Sequence, residues 1–515
     1  NRGDFVAANK LYGIIYMSPL KLKLNIIDLK TQEIIETASS AVFVQEKHKS
    51  SIYRHELKKI VAALDGFLQL LKDYHIADYD FWANQQLVDD VSARYLSDQI
   101  YVRTKLRVKW LNTSQITYYK TIATMECSKR FEDLIKDTIY LMNIGSATIT
   151  LSKFSHQKFQ TAWNIAIGYQ ELDDITKELQ NMAGNPVEVV KDYIDSKFAF
   201  LRPEFNKENG NIHVFVQDSL VLNKLMDADE NAKSLQSISL KDFNTFADEA
   251  IDSPDQFLSQ RLGIDESLVN RIVPDILLVR KLLKLAGSKE LILTNMSVPD
   301  GIAMQIRNEL GYLDIDLNDV ILTSAENLAK RYLTNEKHRK NTVKFALHLF
   351  DQLKKLHRLG KRERLLLQIA SSLDDIGNFI NSHGHYRHSA YILQATKLIG
   401  LSDEENKIIA DIARYHSVES PAFEQAHYRH IEADSQIIVA KLAAILRLAD
   451  ALDDSGKQKI QKISVSLKKD SLVITASSSH NLALEKWAFN HKAKLFEEVF
   501  GIKPVLKQRR IGNNG

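Results

Sequence analysis

The sequence predicts an α/β protein that carries an all-α segment before its C-terminal end. Three observations support this. Strand and helix patterns interleave over about the first 310 residues, amphipathic helical spacing runs almost unbroken through 322–453, and a strand signal returns at 459. A chain of 515 residues is too long for one hydrophobic core, so several units are expected. A composition 44% hydrophobic and 26% charged belongs to a globular chain. No apolar run approaches the ~20 residues of a membrane span, and nothing in the sequence reads as a secretion signal. The single cysteine, Cys127, has no internal partner. Together these predict a cytoplasmic protein with no membrane role. A net charge of +3 argues against nucleic acid as a partner.

Taken in order, "YGIIYMS", "LKLNIIDL" and "EIIETASSAVFV" read as strands between 11 and 50. A helix follows at 54–75, where Leu57, Ile60, Val61, Leu64, Phe67, Leu68 and Leu71 recur at helical spacing. Residues 100–111 fit either a strand or a short helix. "IYLMNIGSATITLSKF" reads as strand, turn at Gly145-Ser146, strand. "NIHVFVQDSL" is a further strand. "SLVNRIVPDILLVRKLLKLAG" is a long helix closed by Gly287, and "ELILTNMSVPDGIAMQI" is strand, loop, helix. In the helical segment, Val343, Ala346, Leu347, Phe350 and Leu353 mark one apolar face. At the end, "KISVSL" and "SLVITAS" form a hairpin around 468–470, and a helix runs to Gly501.

Histidines concentrate in the helical segment, where nine of the 16 lie between 338 and 430. His338, His383, His385, His388 and His416 recur with Asp374, Asp375, Asp450, Asp453 and Asp454. Imidazole and carboxylate are the ligands of a divalent metal that activates water, and helices of a bundle can aim them inward. His348 and His357 read as ordinary helix residues and His427 and His430 as exposed loop. Asp453-Asp454 read as an acidic helix end. Residues 336–364 hold ten Lys or Arg against three acids, which suits either a solvated face or a polyanion.

The order His338 … Asp374-Asp375-Ile-Gly … His385/His388 … His416 … Asp450 resembles an HD-type phosphohydrolase. More specifically, "INSHGHYRHSAYIL", "ADIARYHS" and "LEKWAFNHKAKLFEEVFGIKPVL" resemble the exopolyphosphatase/guanosine-pentaphosphatase (Ppx/GppA) family, as does "NIGSATITLSKF". The resemblance implies two actin/Hsp70-like (ribonuclease H-like) lobes at 1–138 and 139–310. An HD-like helical domain at 311–456 and a small α/β module at 457–515 would follow. It also implies a phosphoanhydride substrate, inorganic polyphosphate or guanosine pentaphosphate, and a homodimer.

In that family two glycine-rich loops cradle phosphate, a glutamate activates water, and Mg²⁺ neutralises charge. Here Tyr16 and Ser18-Pro19-Leu20 replace the acid and glycine of the first loop, and Pro19 has no N–H to give. Lys21 and Lys23 beside it read as a solvent face. The second loop keeps Gly145, Ser146 and Thr148 but has Asn143 for the acid. Glu126 matches the catalytic glutamate. In the helical domain His338, Asp375 and Asp450 match HD ligands and Asp374 replaces a histidine, favouring Mg²⁺ or Mn²⁺. His385, His388 and His416 are candidate ligands for a second ion, and Arg387 is a candidate phosphate contact. Three readings follow: residual exopolyphosphatase chemistry at Glu126, a non-catalytic polyanion binder, or a metal phosphohydrolase in the helical domain.

Overall fold

The strand Leu11–Met17 (β1) buries Ile14, Ile15, Tyr16 and Met17 in succession, so both its faces must be covered. The computed structural model describes residues 10–19, 21–41, 55–125, 129–179, 185–207, 210–217, 219–225, 235–264, 266–422 and 424–510. The chain forms two compact units, Asn1–Val320 and Ile321–Gly515.

In the first unit β1 is the middle of a five-stranded sheet with Lys21–Asp28 (β2), Ile34–Ala41 (β3), Tyr79–Asn84 (β4) and Val108–Leu111 (β5). The order is β3-β2-β1-β4-β5. β1 to β3 form an antiparallel meander, while β4 and β5 run parallel to β1 and β4. Parallel pairing needs crossovers, supplied by helices His55–Asp73 and Asp90–Thr104. Their Ile60, Leu64, Leu96 and Ile100 pack with Ile15, Met17 and Phe81. The second sheet repeats this order with Lys158–Ile165 (β8), Ile149–Ser155 (β7), Thr138–Ile144 (β6), Ile212–Gln217 (β9) and Glu290–Thr294 (β11). Gln236–Ser239 (β10) adds an antiparallel edge. This repeated order is the actin/Hsp70-like pair of lobes. Helix Val298–Glu309 covers the other face of the first sheet, setting Val298, Ile302 and Ala303 on Ile14, Tyr16 and Trp82. It meets helix Thr113–Met125 at Gly301, where a Cβ would lie 2.1 Å from the Tyr119 carbonyl oxygen. Only glycine permits that approach.

In the second unit, helices Glu336–Gln352, Lys361–Leu373, His385–Ala395, Asp403–Tyr415 and Ala433–Ala451 pack together. Ala433–Ala451 is the most deeply placed, with Val439, Leu442, Ile445, Leu446 and Leu448 fully enclosed. Strands Lys462–Leu467 (β12), Ser471–Ser478 (β13) and Lys503–Arg510 (β14) form a small sheet. Helix Ala483–Phe500 packs on β14 and on Ala433–Ala451, and ends at Gly501 with φ +66°.

Some local expectations change. The buried arc of Glu336–Gln352 includes Thr342, Phe345, Ala346, Leu349 and Phe350, whereas Val343 and Leu347 are half-buried. The helix is packed by Lys361–Leu373 and Ala433–Ala451 together, which shifts and widens the apolar stripe. The run 267–287 is two helices, Glu266–Val269 and Ile272–Ala286. The break places Pro274 in a first turn, where its missing N–H costs nothing. Residues 100–111 hold both alternatives: the helix stops at Lys105, in the left-handed region at φ 63°, and β5 begins at Val108. The strand expected over "EIIETASSAVFV" is described only to Ala41.

Candidate functional site

Two places gather chemistry-bearing side chains. The first lies in the helical unit. Asn335 caps helix Glu336–Gln352 by accepting the His338 N–H at 3.3 Å, which fixes His338 in the first turn. Helix Lys361–Leu373 ends at Asp374, and Asp375 follows. The next turn is held hard against helix His385–Ala395. A Cβ on Gly377 would lie 2.0 Å from the His385 carbonyl oxygen, and the Gly377 N–H donates to Ser389 Oγ at 2.9 Å. That clamp sets Asp375 beside His385. His416 follows helix Asp403–Tyr415, and Asp450 comes from the last turn of Ala433–Ala451.

The structure brings Asp375, His385 and His416 together. His385 Nε2 and His416 Nε2 are 3.1 Å apart, and Asp375 Oδ1 lies 3.5 and 3.9 Å from them. The point equidistant from these three atoms lies about 2.1 Å from each, the length of a metal–imidazole bond (~2.0–2.1 Å). Each ring's Nδ1 faces a backbone carbonyl, Ser382 O at 3.1 Å for His385 and Ala413 O at 2.6 Å for His416. Donation from Nδ1 leaves both Nε2 atoms as bare acceptors, and two facing lone pairs need a cation between them. Burial lowers the pKa of His416, which favours the neutral, ligating form.

Beside this trio, His338 Nδ1 is 3.0 Å from Asp453 Oδ2. Its Nε2 is 3.2 Å from Asp450 Oδ1 and 3.8 Å from Asp375 Oδ2. Burial opposes a charge on this ring, but the hydrogen bonds to Asp450 and Asp453 outweigh it and push the pKa up to about 11. The Lys492 ammonium, from helix Ala483–Phe500, pairs with Asp450 and lies 3.2 Å from Asp454. Burial alone would raise the Asp450 pKa. Lys492 and His338 reverse that and hold it well below the usual carboxylate range. Asp374 behaves oppositely. Burial, then the neighbouring Asp375 and Asp450, push its pKa well up, and its Oδ2 has no hydrogen-bond partner.

Asp374 and His388 are outside the trio. The expectation of Mg²⁺ or Mn²⁺ rested on Asp374; two imidazoles and one carboxylate suit Mn, Fe or Zn, so Mn²⁺ remains within that expectation. Arg387 is exposed and paired with Glu419, which Arg414 also engages at 3.0 Å. His383 is exposed. His357, expected to be an ordinary helix residue, is fully buried, between the Phe350 carbonyl at 2.8 Å and the Leu359 N–H at 2.9 Å. His427 is half-buried on the short helix Ala426–Arg429, 3.0 Å from Tyr415 Oη. In the basic stretch, Arg339, Lys340, Arg362 and Arg364 pair with Glu326, Glu336, Glu405 and Asp351.

The second place is a cleft of about 660 Å³ in the first unit, within the usual size of small-molecule sites (~300–1,000 Å³). Gly145, Ser146 and Thr148 line it, with Asn143, Lys120 and Arg271. Lys21 and Lys23, expected on a solvent face, line it too, because β2 borders the opening. Glu126 lies outside the described residues. Some backbone groups of both loops are already paired. Gly145 N–H donates to Thr148 O at 2.9 Å, while Tyr169 and Gln170 N–H donate to Gly145 and Ser146 carbonyls. Ser18 N–H donates to Lys21 O at 2.9 Å. Lys120 donates to Asn143 Oδ1 at 2.7 Å. Gln217 holds Lys120's helix in place, donating to Lys120 O, Thr124 Oγ1 and Met296 O at 2.9 Å each.

Sequence reasoning missed Lys492, Lys120 and Arg271 as site residues, and it read Asp453, named with the other aspartates, as part of an acidic helix end. Asp453 had a signal, since it stands three residues after Asp450 and shares its helical face. Lys120 and Lys492 meet their partners through packing distant in sequence, whereas Arg271 faces Asp275 one helical turn on.

The model of the Ppx/GppA phosphatase family, domain III, matches residues 320–497. A guanosine-5'-triphosphate,3'-diphosphate pyrophosphatase of Pseudoalteromonas translucida is 24% identical over 177 residues, 34% of this chain and 33% of its own length. The enzyme of the same name from Aeromonas hydrophila is 25% identical over 201 residues, 39% of this chain and 37% of its own. The chain thus spans about a third of the length of these curated relatives. Among solved structures, an exopolyphosphatase from Cytophaga hutchinsonii aligns with TM-score 0.49 and 14% identity over 59% of this chain and 99% of its own. The Aquifex aeolicus Ppx/GppA family member aligns with TM-score 0.46 and 13% identity over 58% and 98%. No helix among the described residues is long and apolar enough to cross a membrane.

Proposed function

Because the chain is a divergent member of the Ppx/GppA family, matched through residues 320–497, we propose that its helical unit is a metal-dependent phosphohydrolase centre for a phosphoanhydride, such as a polyphosphate end or guanosine pentaphosphate. One observation carries the reading: the Nε2 atoms of His385 and His416 face each other at 3.1 Å beside Asp375. These three residues hold the ion. When bound, a transition metal supplies a Lewis acid for a phosphoryl oxygen and lowers the pKa of water. Asp453 accepts from His338 Nδ1–H and fixes the ring, leaving a proton at Nε2, on the side of Asp450, for a departing phosphate oxygen. Lys492 keeps Asp450 ionised as the partner of that proton.

The experiment is elemental analysis of purified chain together with phosphate release from tripolyphosphate, before and after chelation and on re-addition of Mn²⁺. Bound metal near one ion per chain and Mn²⁺-restored release support the proposal. A metal-free protein whose release ignores chelation and the His416→Ala change would sink it.

A further inference from the structure

The net charge of +3 averages two unlike parts of the chain. Residues 457–515 hold twelve Lys or Arg against four Asp or Glu, a charge of +8, so the rest of the chain carries −5. Asymmetry of this kind, more than the total, marks a surface for a polyanion. Three of these cations are spent on carboxylates: Lys459 on Glu485, Lys492 on Asp450 and Lys494 on Glu498.

Four of the others gather on one face of the small sheet. Side chains along a strand alternate between its faces. In β13, Leu472, Ile474 and Ala476 are buried, so Ser471, Val473, Thr475 and Ser477 point the other way. Register sets Lys462, Ser477 and Arg509 in one row across the three strands, and Ser464, Thr475 and Lys507 in the next. Lys503, opposite Ser471, stands on the same face two rows further on. Lys462, Lys503, Lys507 and Arg509 are all exposed, and none forms an ion pair among the described residues. With strands ~4.8 Å apart and ~3.3 Å per residue, their backbone positions span roughly 10 by 20 Å. No acid and no aromatic residue occupies this face.

Unpaired cations among hydroxyls, with no carboxylate to repel a ligand, match an array of phosphates. The lack of an aromatic ring removes the platform on which an unpaired base would stack. A flat face suits the wide, shallow minor groove of an A-form duplex, which presents phosphates and 2′-hydroxyls. The hydroxyls of Ser464, Thr475 and Ser477 can donate to and accept from a 2′-hydroxyl.

We propose that the outer face of the β12-β13-β14 sheet docks double-stranded RNA through its backbone, without regard to base sequence. The inference does not rest on the metal centre.

The test is fluorescence anisotropy of the full chain, in EDTA, with a labelled RNA duplex of mixed sequence. Affinity should fall about a hundredfold from about 50 to 200 mM salt, as expected for four phosphate contacts. Lys507→Gln and Arg509→Gln should each weaken binding about tenfold and lower the salt dependence by about one phosphate contact. Lys462→Gln, Lys507→Gln and Arg509→Gln together should abolish it. Ser464→Ala with Thr475→Val should narrow the preference for RNA over a DNA duplex. Lys340→Gln, which removes an ammonium paired with Glu336, should change nothing. Circular dichroism melts confirm that each variant is folded. Absence of binding at the lowest salt, or full binding by the triple variant, overturns the inference. So does a DNA duplex, a polyphosphate chain or a phosphatidylglycerol vesicle that binds as tightly as the RNA.

Discussion

In the helical unit Asp375, Asp450 and Asp453 converge with His338, His385 and His416. In the cleft of the first unit, Tyr16 and Asn143 are neutral, and Lys120 and Arg271 bring charge of the opposite sign. Buried carboxylates need cations, and buried cations need anions. Under the proposed reading the first place would take an exchangeable cation, since facing imidazoles can release a proton and take a metal. The two places therefore carry two different electrostatic designs.

The largest expected break in this contrast is at the metal ligands. Asp375→Asn and His416→Ala should each abolish bound transition metal and lower Mn²⁺-dependent phosphate release by about 10²–10³-fold. Mass spectrometry of metal content and a phosphate assay read both. Retained metal in His416→Ala would move the ion away from this trio.

Next in size is Lys492→Met, which leaves Asp450 without its ammonium. Removing one partner of a mostly buried pair costs on the order of 3 kcal/mol. A lower melting temperature in EDTA, partly recovered by Mn²⁺, is the expected pattern. No change would mean that His338 alone neutralises Asp450.

Carboxylates also part company in their titration. Burial pushes Asp275 of the first unit up to about 6, only partly offset by Arg271, while Asp450 is held low. Between about pH 4 and 6 folded Asp275 keeps a proton that the unfolded chain has lost, so stability falls as pH rises through that window. Asp275→Asn removes this penalty. It should stabilise the first unit by roughly 1–3 kcal/mol at pH 7.5 and have little effect at pH 4. Urea unfolding at both pH values, followed by tryptophan fluorescence, checks the sign.

The smallest effect should come from Glu126→Gln. If release originates in the helical unit, its rate changes less than twofold. A loss of a hundredfold would return the chemistry to the first unit.

Much of the architecture was legible because periodicity reports burial directly. Alternation and apolar runs marked β1, β2, β6 and β9, and helical spacing marked the bundle. Element breaks were harder to read. Pro274 and the left-handed Lys105 act through local backbone geometry that a hydrophobic pattern does not register. The site was legible as a set of residue types. His385, His416 and Asp375 stood out because histidine is uncommon and clustered here, whereas Lys120 and Lys492 looked like any other lysine.

The sequence alone determined the two α/β lobes, the helical segment and the histidine enrichment. Only the tertiary structure decided which of those residues meet. Asp375 joins His385 and His416 because Gly377 lets two elements touch, while Asp374, its neighbour, turns into the interior and is pushed towards its neutral form. Lys120 reaches Asn143 across 23 residues and Lys492 reaches Asp450 across 42. The charge that decides whether a site takes a metal or an anion comes from such distant partners, and linear spacing carries no record of them.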